Sequence, residues 1–244
     1  MFIALEGIDG SGKTSVAESL MNILEEGGRP VVFARHNDPN LHDAEVATYL
    51  KALIKLKDDT HSFAYARLGD PHWALIRASY YSLIDRCLIT PALEARKTVI
   101  ADGWFYKFIA RLVASRTRHP GDFTSPEQVL PIFSCVRTPD RVVVIDTPVK
   151  LCAQRKQAIN VAEFGAENYG KECDTENFIN YQSEVRGHLL SIPGCENWET
   201  VDGGADPPQR IAEKIAATLE LIARYPVGVA PPISIHAQSV RGEV

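Results

Sequence analysis

Residues 4–15 read ALEGIDGSGKTS, and this stretch decides the fold. Phe2 to Glu6 is an apolar run of strand character, and Thr14 to Glu26 carries a helical pattern closed by Gly27-Gly28. Between them, Gly7 through Thr14 satisfies the spacing G-x-x-x-x-G-K-[ST] of a phosphate-binding loop (P-loop). Glycines let successive backbone N–H groups converge on one anion, and a helix starting near Lys13 turns its positive end toward the same point. Lys13 can then reach the β- and γ-phosphates, and the Thr14 hydroxyl can join a Mg²⁺ shell. Gly7, Gly10, Ser11, Gly12 and Ser15 complete the cradle. A dinucleotide fold is disfavoured, because the order here is G-x-x-G-x-G, not G-x-G-x-x-G, and leaves Lys-Thr without a task. The reading is a nucleoside triphosphate site.

The rest of the chain alternates strands with helices. PVVFAR (Pro30 to Arg35), KTVIAD (Lys97 to Asp102) and DRVVVIDT (Asp140 to Thr147) are apolar strands, and NWETVDG holds a short fifth. Helical spacing runs over 41–57, from about Pro71 to Ala95, over most of 148–192 with a break around FGAENYGKECD, and over 207–224. This pattern predicts an α/β three-layer sandwich: a five-stranded parallel sheet with helices on both faces. Residues 1–224 read as one domain. Residues 225–244 are rich in proline and small residues, without a period, and read as a mobile tail or an arm laid on a neighbour.

Composition narrows the partners. A net charge of −5 argues against a general nucleic-acid binder. Five scattered cysteines without a Cys-x-x-Cys pair suggest free thiols in a reducing compartment. No run approaches the roughly 18 apolar residues of a membrane span, and the N-terminus lacks a basic leader. The expectation is a cytoplasmic protein with no membrane partner.

Four further stretches, taken with the loop, resemble the thymidylate kinases. FIALEGIDGSGKTS resembles that family's opening. VVFAR places Arg35 where the family has an arginine near the acceptor phosphate, and LIDRCLITPALEARKTVIAD resembles its Asp-Arg, its I-x-P-A-L helix and the strand before Asp-Arg-Tyr. VIDTPVKLCAQRK resembles the Asp-x-P-x-x-x-x-x-x-R element that leads into a mobile lid, and VDGGADPPQRIAEKI its last strand and helix. The likeness spans about residues 1–222. It implies ATP-dependent transfer, with Mg²⁺, of the γ-phosphoryl group to a nucleoside monophosphate, a helical lid over about 153–176, and a homodimer.

On that resemblance Lys13 stabilises the transferring group and Asp9 accepts a hydrogen bond from the acceptor's 3′-hydroxyl. Asp9 also reads as a loop carboxylate capping local N–H groups. Asp102, ending the third strand, is the candidate for Mg²⁺ organisation together with Thr14, or for activation of the acceptor. Asp146, the other strand-end acid, reads first as a cap for the next helix. Arg86 matches the arginine on the thymine edge, or else lies on a solvated face. Arg155 and Lys156 reach the phosphates as the lid closes, or pair on a helix surface.

The match breaks on the acceptor side. The family's Asp-Arg-Tyr becomes Asp102-Gly103-Trp104, which removes the arginine that holds the acceptor's phosphate. The lid sequence offers mainly Lys171 in place of dense arginines. Two accounts fit. If 104–118 is helical, Lys107, Arg111 and Arg118 fall within about 40° of one another at about 100° per residue, opposite an apolar stripe of Phe105, Ile109, Leu112 and Val113. Lys107, in the first turn, then takes over the phosphate. Otherwise the acceptor is a nucleoside or another small metabolite, and Trp104 and Trp73 line a changed pocket or pack in the core. A non-catalytic ATP-binding relative is the reading from a different class.

Overall fold

The computed structural model describes residues 1–35, 41, 43–57, 65–115, 121–159, 163–165 and 174–221. The expected tail, Arg118, Lys171, and residues 160–162 and 166–173 of the expected lid lie outside them.

Five strands form one sheet: β1 (Phe2–Glu6), β2 (Val31–Ala34), β3 (Thr98–Asp102), β4 (Arg141–Asp146) and β5 (Glu199–Asp202), in the order β2-β3-β1-β4-β5. All four pairings are parallel. Side chains alternate across a strand, so two separate cores follow from the sequence of each apolar run. Phe2, Ala4, Val99, Ala101, Val142 and Val144 face one core, while Ile3, Leu5, Ile100, Val143 and Ile145 face the other. The expected three layers are present.

The second core is closed by α1 (Lys13–Glu26) through Val16, Ala17, Leu20 and Leu24, and by the last helix, Pro208–Thr218, through Ile211, Ala212, Ile215 and Ala216. The first core is covered by α2 (Ala44–Lys57), α3 (Tyr65–Ile84), α4 (Thr90–Glu94), α5 (Phe105–Ala114) and a helix over Thr175–Leu189. Full burial of one such aliphatic side chain is worth roughly 1.5–3 kcal/mol, so these stripes set the orientation of each helix.

The long helix expected from about Pro71 to Ala95 is interrupted once, where Asp85–Ile89 form a π-helical turn; Gly69, at φ 69° and ψ 165°, leaves helical geometry just before the expected start. At the start of the π turn, buried Asp85 accepts from the Thr90 hydroxyl at 3.0 Å and from Arg137 Nε at 2.9 Å. A short helix, Pro126–Val129, was not legible in the sequence. No helix among the described residues is long and apolar enough to cross a membrane.

Candidate active site

The parallel sheet presents the carboxyl ends of β1, β3 and β4 along one edge, where ligands bind in this architecture. The loop leaving β1 runs into α1, whose first residue is Lys13. At Gly10, φ is +81°, and a Cβ would stand 2.7 Å from the Cys152 carbonyl oxygen. Only glycine fits there. The Ser11 carbonyl accepts from the Thr147 hydroxyl at 2.9 Å, which ties the loop to the end of β4. Arg155 closes the helix Val149–Arg155 and donates to the Gly203 carbonyl at 3.0 Å and the Ser11 carbonyl at 3.4 Å. Loop residues 10–16, Arg155, Gly203, and Asp206, Pro207 and Ile211 line a cleft of about 460 Å³. It has the size and polarity of a nucleotide site.

Thr14 and Asp102 meet at the floor of this edge. The Thr14 hydroxyl donates to Asp102 Oδ2 at 2.8 Å, while Asp102 Oδ1 is buried and has no partner among the described residues. An orphaned carboxylate oxygen beside a hydroxyl is a donor set for a hard cation. Among the described residues no group of three or more His, Cys, Asp or Glu gathers anywhere. A cation here would therefore take its remaining ligands from water and phosphate, which is the habit of Mg²⁺.

The residues that the sequence suggested for the acceptor side, Asp9 and Lys107, form a network. Lys107 Nζ lies 2.8 Å from Asp9 Oδ1, across a gap that sequence spacing alone does not close. Gln182 is fully buried and holds Asp9 by two bonds: its Oε1 accepts the Asp9 N–H, and its Nε2 donates to Asp9 Oδ2, both at 3.1 Å. The Gln182 amide also donates to the Glu163 carbonyl at 2.7 Å, and Lys156 pairs with the Glu163 carboxylate at 2.6 Å. Burial disfavours charge on Asp9, yet Lys107, Arg111 and Lys13 outweigh it and hold the carboxyl well below the usual carboxylate range. Burial brings the Lys107 ammonium down to about 8 although Asp9 supports its charge. Burial also pushes Glu6, at the end of β1, up to about 7 against the Trp104 N–H and the Lys107 and Lys13 charges.

Gly103 adopts φ +85°, and a Cβ there would meet only Lys13 Cε, at 4.0 Å. The space beside Lys13 is open, but the backbone conformation suits glycine. Trp104 is buried and bonded on three sides: its N–H to Glu6 Oε1, its carbonyl from the Tyr81 hydroxyl, and its indole N–H to the Arg137 carbonyl, each at 2.9 Å. It packs with Phe2 and Tyr81, so it belongs to the core.

The sequence-derived candidates separate accordingly. The structure brings together Gly7, Asp9, Gly10, Ser11, Gly12, Lys13, Thr14, Ser15, Asp102, Lys107 and Arg155. It does not bring Arg35 or Arg86 into the phosphate cleft. Arg35 pairs with Glu18 at 2.9 Å and lies over the Phe33 ring. Arg86 is exposed on a second cleft, of about 510 Å³, with Glu45, Tyr49, Ser79, Ser82 and Cys87, while Tyr80, Tyr81 and Ile84 of the same helix turn to the core. Asp146 is not the cap for the helix that follows. Arg186 grips it with two bonds of 2.6 Å, and that helix begins after Pro148 without a side-chain cap. Sequence reasoning missed Gln182, Glu163 and the use of Glu6. Gln182 had one signal: it interrupts the apolar stripe Phe178, Val185, Leu189.

The thymidylate kinase family profile matches residues 5–203. A protein of Pyrococcus abyssi named "Probable thymidylate kinase" is 33% identical over 192 residues, covering 78% of this chain and 82% of that protein. The thymidylate kinase of Fervidobacterium nodosum is 32% identical over 204 residues, 83% of this chain and 90% of its own. That of Citrifermentans bemidjiense is 28% identical over 228 residues, 91% and 94% of the two chains.

Proposed function

The chain belongs to the thymidylate kinase family and is a kinase; on that premise we propose that it moves the γ-phosphoryl group of ATP to a nucleoside monophosphate, dTMP or a close relative. The observation that carries this reading is the glycine loop opposite the Thr14–Asp102 oxygen pair, on the sheet edge that also holds Asp9 and Lys107.

Phosphoryl transfer asks for alignment and charge neutralisation more than for covalent chemistry. The backbone N–H groups of residues 10–15 bind the phosphates, and Lys13 meets the charge on the transferring group. Thr14 and Asp102 would hold Mg²⁺. When bound, that ion neutralises the phosphate oxygens and fixes their orientation. Arg155, already spanning the loop and Gly203, needs only to release two carbonyls to reach a phosphate. Asp9 offers its carboxylate to the acceptor sugar, and Lys107 then turns from Asp9 to the acceptor's phosphate, in place of the arginine absent at Gly103. The reading keeps residues 1–224 as one kinase domain with a lid over about 153–176, in a cytoplasmic protein. Exposed Tyr49 and Leu56 on α2 and Leu68 and Leu75 on α3 are apolar surface that supports a homodimer.

A different acceptor is the second reading, favoured by one observation: Gly103-Trp104 supplies no cation, and Trp104 is locked in the core. ADP formation by the purified protein with Mg-ATP, against nucleosides, nucleoside monophosphates and a metabolite extract, tests both. Turnover on dTMP is expected. Turnover only on another compound reassigns the acceptor, and ATP binding without any turnover overturns the catalytic reading.

A further inference from the structure

A buried carboxylate without an assigned task stands where the two halves of the site join. Glu6 ends β1, is fully shielded from solvent and directly precedes Gly7. The β1–β3 ladder stops one residue earlier, where the Gly103 N–H donates to the Leu5 carbonyl at 2.9 Å. The next donor, the Trp104 N–H, bonds instead to Glu6 Oε1 at 2.9 Å. A side chain thus extends the ladder by one rung. That rung is placed at the residue before α5, the helix that carries Lys107. The other oxygen of Glu6, Oε2, is buried with no partner among the described residues.

A glutamine would satisfy the Trp104 N–H without the several kcal/mol that a buried carboxylate costs when it lacks a matching cation. The charge is offset by Lys107 and Lys13, both of which act on Glu6. One carboxylate therefore touches the start of the acceptor-side helix and faces the principal cations of both halves. We propose that Glu6 is a positioning residue: through the Trp104 amide it fixes where α5 begins, and so where Lys107 stands relative to Asp9 and the P-loop. This inference rests on the reading that Lys107 serves the acceptor.

Three variants separate a positioning role from a merely structural one. Glu6→Gln keeps an oxygen for the Trp104 N–H. Glu6→Ala removes it, and Glu6→Asp keeps the charge but withdraws it by one methylene. Misplacement of a substrate-binding group costs roughly tenfold or more, so Glu6→Ala and Glu6→Asp raise the KM for dTMP by about that factor with the KM for ATP within about twofold. Glu6→Gln restores the KM for dTMP. Parallel changes in both KM values, or a Glu6→Gln variant as impaired as Glu6→Ala, overturn the inference. Hydrogen exchange at the Trp104 amide, in protein without substrate, gives a readout independent of the acceptor. Its protection is lost in Glu6→Asp and kept in Glu6→Gln, and unchanged protection in Glu6→Asp sinks the proposal. If the parent protein leaves dTMP untouched, the functional reading fails while the amide still decides the question of Glu6.

Discussion

The donor and acceptor halves of this site are built from different material. The donor half is backbone: N–H groups of a glycine loop, pinned by carbonyl bonds from Thr147 and Arg155, with two positions, Gly7 and Gly10, at which even a methyl group collides. The acceptor half is side chains, with Asp9, Lys107 and Gln182 reaching across from three elements. A backbone cradle depends on conformation and admits few sequences. A side-chain network depends on reach, and a lysine on the next helix can stand in for a lost arginine. On the proposed reading, that difference is what lets the chain carry Gly103-Trp104 beside an intact P-loop.

The contrast can be broken experimentally, beginning with the donor side. Lys13→Ala should lower kcat by about 10³-fold or more, because it removes a cation that neutralises the transferring group in a desolvated site. Near-normal turnover with unchanged circular dichroism would end the assignment. Gly10→Ala should follow. A Cβ at 2.7 Å from a carbonyl, in a backbone with φ +81°, carries strain of order 1–3 kcal/mol. ATP affinity by titration calorimetry and Tm should fall together. A variant with parental affinity would show that the loop can move away from Cys152.

On the acceptor side, Lys107→Ala should raise the KM for dTMP roughly tenfold and leave the KM for ATP within about twofold, the split expected of lost acceptor binding. A change in the ATP term alone would place Lys107 in the donor half. Next in size is a pH effect. In the folded protein Glu6 titrates near 7 instead of at its ordinary 4.5, so its protonated form is favoured by folding. Its contribution is fully present below about 4.5 and is lost as pH rises through about 7. Glu6→Gln should therefore gain stability relative to the parent between pH 4.5 and 8, and a constant difference in Tm across that range would contradict the assignment. The smallest effect is expected for Arg86→Ala. A lone exposed side chain outside the site changes little, so kinetic constants should stay within about twofold. A large rise in the KM for dTMP would bring Arg86 back to the base.

The sequence carried the donor half well and the acceptor half poorly, for a physical reason. Local patterns encode local structure. Gly7 to Thr14 is contiguous, and the Val/Ile runs of β3 and β4 show their burial on both faces directly. The stripe Phe105, Ile109, Leu112 and Val113 followed if 104–118 were helical, and the structure has a helix over Phe105–Ala114 of that span. The Asp9–Lys107 contact instead joins residues 98 apart, and Gln182 meets Asp9 across 173. No periodicity encodes such distances. Arg86 lies within the π turn at Asp85–Ile89 and lines the second cleft, while Tyr81, on the preceding helix, is the residue that turns toward Trp104. Glu6 was visible as an acid closing an apolar strand, but its partner lies in another strand's exit.

The bond between Thr14 and Asp102 has a consequence for how the chain comes into being. Its partners are 88 residues apart, in a strand order that places β1 between β3 and β4. During synthesis the glycine loop emerges first, but its oxygen pair is complete only when β3 has been made and docked beside β1. The far wall of the nucleotide cleft waits longer still, for residues 203–211. Nascent chains shorter than that have a loop without a site. A nucleotide that binds only the finished arrangement stabilises it by mass action. ATP should therefore leave early intermediates untouched and act on the last folding step, so that ligand-dependent protection from protease marks full-length, correctly threaded molecules.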